Sequence, residues 1–290
     1  MGLLFRLLSW LPLPLLHNLG ALAGWLAYAL SPTYRRHLRE NTAQAGLDGV
    51  AGVRSAAIAE AGKTILELPK LWLRPQDEVV ARVVKVSGWE LVEAAWKEGR
   101  GILFLTPHLG CFEITAQYYA RQSTHAAHGP MTVLYRRPKQ AWLGPIIEGG
   151  RGANLKLAPA DVSGVKKLLK ALKSGEAVGM LPDQAPKVGE GTWAPFFGRP
   201  AYTMTLAARL AQMGKSGGAT VIFAYAERLH YGAGYHLKLF APVGETATPA
   251  DINREIERVI MDCPEQYLWG YNRYKGRPAG TPPGGKPVTP

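Results

Sequence analysis

Apolar residues dominate positions 7–30, where Pro12, Pro14, His17 and Asn18 are the main interruptions. At ~1.5 Å rise per residue, a helix of that length reaches across the ~30 Å hydrocarbon core of a bilayer. The prolines and the His17-Asn18 pair suit a kinked or inserted anchor as well as a spanning one. Farther along, the apolar pattern alternates between helical and strand periods. Ala57, Ile58, Ala61, Ile65, Leu66 and Leu68 give 53–72 an apolar stripe at helical spacing. Positions 83–86 predict a strand and 90–97 a short helix. The apolar run 101–107 predicts a buried strand and 113–121 the helix after it. Strand 131–135, helix 142–147, amphipathic helix 161–173, strand 177–181 and helix 203–213 follow. Strands at 220–225 and 235–240 and a helix at 252–261 close the series.

Such alternation predicts an α/β fold, a helix-flanked and largely parallel or mixed sheet, with no internal repeat. Three parts are expected: a membrane anchor at 1–40, a catalytic body at 41–275 and a Pro/Gly-rich flexible tail at 276–290.

Composition narrows the functional classes. At 290 residues and 47% hydrophobic, the chain is globular rather than disordered or polytopic. A formal charge of +12, from 34 Lys+Arg against 22 Asp+Glu, favours an acidic partner such as anionic lipid, a phosphorylated substrate or an acidic carrier protein. Nucleic acid is disfavoured, because zinc-finger spacing, an RNP-like aromatic motif and a dense basic tract are all missing. Two cysteines, Cys111 and Cys263, do not make a disulfide scaffold and fit a reduced compartment. His125 and His128 have no Cys, Asp or Glu close by and read as loop residues, not metal ligands. Arg35, Arg36, His37 and Arg39 follow the apolar segment while Arg6 precedes it, which orients the body to the cytoplasm. Ala27-Tyr28-Ala29 resembles a signal cleavage site, but the over-long apolar region and the arginines behind it favour an anchor.

The chemistry concentrates in His108-Leu109-Gly110-Cys111-Phe112-Glu113, at a strand-to-helix junction. A carboxylate that orients a histidine and stabilises its cation makes it a general base near neutral pH. Read blandly, His108 is a satisfied core or capping residue and Glu113 a first-turn acid. Cys111 offers a rival nucleophile on sulfur. Arg136 and Arg137 after one strand, Arg151 in a glycine-flanked turn, Asp183-Gln184 after another strand and the Pro195-Phe196-Phe197-Gly198 loop each have a dull reading alone. Their common location at strand ends suggests one cleft.

Taken in order, Thr106-Pro107-His108 with Glu113, Tyr135-Arg136, Arg151, Gly175-Glu176-Ala177-Val178, Pro182-Asp183-Gln184, Pro195-Phe196-Phe197-Gly198 and Pro264-Glu265-Gln266-Tyr267 resemble the bacterial lipid A late acyltransferases. That lauroyl/myristoyl group belongs to the lysophospholipid-acyltransferase-like superfamily, and the likeness runs nearly end to end. It implies an inner-membrane enzyme with its catalytic domain facing the cytoplasm. Such an enzyme moves an acyl group from acyl carrier protein to a hydroxyl of an anionic lipid A precursor, without metal or organic cofactor. His108 and Glu113 match the family's His-x4-acid pair, and Arg151 its arginine near the reacting centre. Arg136 and Asp183 are expected to bind substrate. Cys111-Phe112 stands where many members carry Asn-Trp, which leaves the acceptor open. Acylation of another glycolipid or a lysophospholipid from acyl-CoA, and a non-catalytic lipid-binding role, remain as alternatives.

Overall fold

The computed structural model describes residues 2–136, 138, 140, 142–150, 155–214 and 218–275; the expected tail at 276–290 lies outside them. Seven strands form one sheet: β1 (Val83–Ser87), β2 (Ile102–Leu105), β3 (Met131–Tyr135), β4 (Leu155–Pro159), β5 (Ala177–Met180), β8 (Thr220–Arg228) and β9 (Tyr235–Phe240). A separate hairpin pairs β6 (Gly191–Phe196) with β7 (Arg199–Met204). The sheet order is β1-β9-β8-β2-β5-β3-β4, parallel throughout except for the antiparallel β8–β9 pair.

The helices are α1 (Gly2–Trp10), α2 (Leu13–Leu30), α3 (Pro32–Gln44), α4 (Val53–Leu73), α5 (Gln76–Val80), α6 (Glu90–Glu98), α7 (Phe112–His125), α8 (Leu143–Gly150), α9 (Val162–Lys173), α10 (Leu206–Ala211) and α11 (Pro249–Ile260). The central strand explains the layering. Leu103 and Leu105 of β2 enter a core shared with α9, α10 and α11, whereas Ile102 and Phe104 enter a second core shared with α4, α6 and α7. All four are buried. That is why β2 reads as a continuous apolar run instead of an alternating one. The expected helix-flanked, largely parallel sheet is therefore the architecture observed.

Strand β4 is not among the expected elements. The apolar stretch breaks at Leu11 and Pro12 into α1 and α2; α2 is long and apolar enough to cross a membrane by length and composition. The Pro195-Phe196-Phe197-Gly198 segment is not a loop but a hairpin and its turn, and β7 takes up Thr203 and Met204 before α10 begins. Pro195 and Pro200 face each other across the hairpin. Phe197 (φ 46°) and Gly198 (φ 73°) both sit in the left-handed region, the geometry of a tight two-residue turn. Phe197 is held there because its N–H donates to the Glu257 carboxylate at 2.8 Å and its ring packs on Phe196 and Trp269.

Candidate active site

The loop from Thr106 to Cys111 joins the end of β2 to the start of α7, and the backbone fixes it on several sides. Thr106 N–H donates to the Met180 carbonyl (3.1 Å), Gly110 N–H to Gln266 (3.1 Å) and Cys111 N–H to Ala226 (2.7 Å). Gly110 has φ 58°, and a Cβ there would lie 2.1 Å from the Ala226 oxygen, so this close approach requires glycine.

His108 stands at the top of this loop with its side chain 17% exposed. Its Nδ1 lies 2.8 Å from Oδ1 of Asp183, and its backbone N–H donates to Oδ2 of the same residue at 2.9 Å. A carboxylate can only accept, so Nδ1 carries a proton, and in the neutral ring the lone pair falls on Nε2. The Gln184 amide nitrogen lies 3.2 Å from that Nε2, and the ring packs edge-on against Phe112. Asp183 follows β5, the direct neighbour of β2, and is only 2% exposed. Burial pushes its carboxyl upward, but the charge and hydrogen bonds of His108 outweigh that and hold it below its ordinary value.

Glu113 sits in the first turn of α7, where its Oε2 accepts from the Trp72 indole N–H at 3.2 Å. It lines a narrow, mostly apolar cleft that opens to solvent. Phe104, Met131, Val133, Leu155 and Met180 make the wall apolar, while Thr106, Glu113 and Thr115 supply polar groups. Apolar walls with a few polar groups set among them are the lining expected of a site for an amphipathic ligand.

Directly below the loop lies a cluster that no sequence motif announced. Arg228, at the end of β8, donates from Nη2 to the Gly110 carbonyl (2.7 Å), to Glu67 (2.7 Å) and to the Thr64 hydroxyl (2.6 Å). Its Nη1 reaches Glu60 at 3.3 Å. Glu67 also accepts from the Tyr235 hydroxyl (3.0 Å) and contacts His17 Nε2 at 3.2 Å. Burial acts to raise the Glu67 carboxyl, yet the adjacent Arg228 charge pushes it down to about 2. Arg228 is correspondingly raised, because the two glutamates overcome the opposing effect of burial. The amide of Gln266 then clamps the Arg228 backbone, accepting its N–H at 2.8 Å and donating to its carbonyl at 2.9 Å.

The remaining sequence candidates divide. Asp183, expected to bind substrate, is buried with both carboxylate oxygens on His108. Arg136 is exposed immediately beyond β3. Arg137 and Arg151 lie outside the described residues. Cys111 is 1% exposed, and burial followed by the Glu67 charge raises its thiol well above the ordinary range. That environment disfavours the thiolate a sulfur nucleophile requires.

Comparison with known proteins gives the family. Residues 2–276 match the family described as bacterial lipid A biosynthesis acyltransferase. The chain is 28% identical to the lipid A biosynthesis lauroyltransferase of Escherichia coli, covering 94% of this chain and 89% of that one. It is likewise 28% identical to the E. coli lipid A biosynthesis palmitoleoyltransferase, over 93% and 88% of the two chains. A lipid A biosynthesis acyltransferase of Haemophilus influenzae is 27% identical over 95% and 89%. With the match spanning nearly every residue from the first helix through the strand-end site, the chain belongs to the bacterial lipid A biosynthesis acyltransferase family and is an acyltransferase enzyme.

Proposed function

We propose that this enzyme transfers a fatty acyl group from acyl carrier protein to a hydroxyl of a lipid A precursor, at the cytoplasmic face of the inner membrane, with His108 as the general base. A hydroxyl with pKa near ~15 does not attack a thioester unaided at neutral pH. Asp183 fixes the His108 ring through Nδ1, and Nε2 takes the proton as the hydroxyl oxygen bonds to the thioester carbon. The Gln184 amide, 3.2 Å from Nε2, marks the position that the incoming hydroxyl occupies in this reading. Collapse of the tetrahedral intermediate breaks the C–S bond, and the carrier's sulfur leaves with the proton held by His108. Ester and free thiol are the products.

Glu113 serves as the second acid beside the imidazolium, presented by the first turn of α7 and steadied by Trp72. The amino end of α7, together with Arg151, stabilises the oxyanion. Arg136 and Arg137 meet the acceptor phosphates by bidentate hydrogen bonds. The reaction needs neither metal nor organic cofactor. The apolar cleft beside Glu113 houses the acyl tail.

One observation carries the reading: an imidazole whose Nδ1 is pinned 2.8 Å from a buried carboxylate, next to a mostly apolar cleft. Mass spectrometry of lipid A from cells with and without the gene tests it. Loss of one secondary acyl chain is expected; unchanged lipid A would overturn the acceptor assignment. With purified enzyme, carrier-bound donor is expected to outperform acyl-CoA, and turnover should fall as salt screens the basic surface from the acidic carrier. Equal, salt-independent rates with acyl-CoA would move the donor to coenzyme A.

A further inference from the structure

The amino-terminal helices present an apolar face that the catalytic reading leaves unused. Leu15, Leu19, Leu22, Trp25, Leu26 and Leu30 of α2 are all exposed, from 39% at Leu19 to 80% at Leu30, and they recur every three or four residues along one side. On α1, Leu3, Leu4, Leu7 and Trp10 are each more than half exposed. Scattered exposed leucines are ordinary; a contiguous stripe over two successive helices marks a docking surface.

The opposite side of α2 is bound to the enzyme body. Leu13, Leu16, His17, Gly20 and Gly24 are buried, and the backbone of α2 touches that of α4. A Cβ on Gly24 would lie 2.1 Å from the Ile58 oxygen, and one on Gly62 would lie 1.9 Å from the Gly20 oxygen. His17 pairs with Glu67, Gly20 with Gly62 and Gly24 with Ile58, so α2 runs antiparallel along α4. The same Glu67 holds Arg228 beneath the His108 loop.

We propose that α1 and α2 lie flat in the surface of an anionic bilayer, as one face of the catalytic body, and that α2 does not cross the membrane. Aromatic and arginine pairs stand at both ends of α2. Arg74 lies over the Trp10 ring at 3.7 Å, and Arg39 donates to the Tyr28 hydroxyl at 2.9 Å. These pairs suit either a flat or an upright helix; the partner helix decides. Standing α2 upright would carry α4 into the hydrocarbon, with Arg54, Glu60, Lys63 and Lys70 along its length, and charged groups are expelled from that depth. Lying flat sinks only the apolar stripe to the acyl boundary. Arg6, Arg36 and Arg39 are exposed on the same two ends, where they meet anionic headgroups.

This geometry also brings the bilayer to the cleft. Phe5 of α1 stacks on Trp72 with centroids 6.1 Å apart, and Trp72 in turn donates to Glu113. Lipid substrates then reach the site along α1 without leaving the surface. The inference rests on the membrane location proposed above but not on the chemistry, so its test is read independently of turnover.

Gly2→Cys and Thr33→Cys bracket the two helices, Gly2 having open space around its Cβ, while the native Cys111 and Cys263 are buried. In inverted inner-membrane vesicles, a membrane-impermeant maleimide is expected to label both positions equally before and after detergent. Protection of Gly2→Cys until detergent is added would mean that α2 crosses, and would overturn the proposal. A second variant, Leu22→Asp with Leu26→Asp, should bind phosphatidylglycerol vesicles about tenfold more weakly or worse than the parent protein while keeping its circular-dichroism melt. Undiminished vesicle binding would equally overturn it. So would a parent protein that ignores vesicles and sediments as a dimer through this face.

Discussion

The loop that carries His108 has an ionic cluster on each side, and the two could hardly be used more differently. Above it, His108 keeps 17% of its side chain exposed while it holds Asp183. Below it, Arg228 and Glu67 are each 1% exposed at the side chain and surround themselves with Glu60, Thr64, Tyr235 and the Gly110 carbonyl. Both clusters depress a buried carboxyl through an opposite charge. The upper pair turns its second ring nitrogen to the Gln184 amide on a partly exposed side, so its protonation can change during a reaction. The lower cluster is saturated and dry, so its charge is fixed and its work is to hold Gly110, and with it His108, at one height. Charge at a site performs chemistry only where one partner stays accessible.

Breaking the lower cluster should have the largest effect on the fold. Arg228→Met leaves Glu67 buried without its guanidinium, while Glu60 keeps Lys63, and is expected to cost about 3–5 kcal/mol, measured by chemical denaturation; a variant as stable as the parent would dissolve the contrast. The upper pair should respond in rate instead. Asp183→Asn is expected to slow acyl transfer by about 10²–10³-fold, from the wrong ring tautomer, with a much smaller change in stability. Glu113→Gln, measured alongside, tells whether the second acid matters comparably.

Acid separates the clusters by a smaller amount. The Glu67 carboxyl is held at about 2 in the folded protein against an ordinary 4.5. A depressed carboxyl contributes stability above its unfolded value and loses it as pH falls through the folded one. The unfolding free energy should therefore drop on acidifying from about pH 4.5 towards 2, and Glu67→Gln should flatten that limb by about 2 kcal/mol. The smallest effect is expected at Cys111, whose buried thiol borders Glu67 but takes no part in acyl transfer. Cys111→Ala should cost about 1 kcal/mol in stability and leave turnover within a few-fold in a steady-state assay. Loss of all activity would restore the sulfur nucleophile.

The sequence carried the local part of this arrangement and not the distant part. The apolar run ending at Leu105 announced a buried strand, and His108 and Asp183 stood out because each follows such a strand. That they meet could not be read locally, because residues 75 positions apart become neighbours only once β5 is known to lie beside β2. The Arg228–Glu67 pair is farther still, 161 positions apart. The expected strand stopped at 225, three residues short of Arg228, because a charged end to a strand looks solvated. The β6–β7 hairpin hid behind Pro195 and Pro200, residues that usually deny a strand but here face one another on an isolated two-stranded ribbon. The apolar start of the chain was legible as apolar. The glycine contacts that bind α2 to α4 depend on a partner helix some forty residues onward.

The most direct test of the account is a double-mutant cycle between His108 and Asp183 in single-turnover acyl transfer, with folding of each variant checked by its melt. If Asp183 acts through the ring, His108→Ala alone should lose about 10³–10⁴-fold, and adding Asp183→Asn should cost nothing further. Losses that multiply in the double variant, or a His108→Ala enzyme within a few-fold of the parent rate, would contradict it.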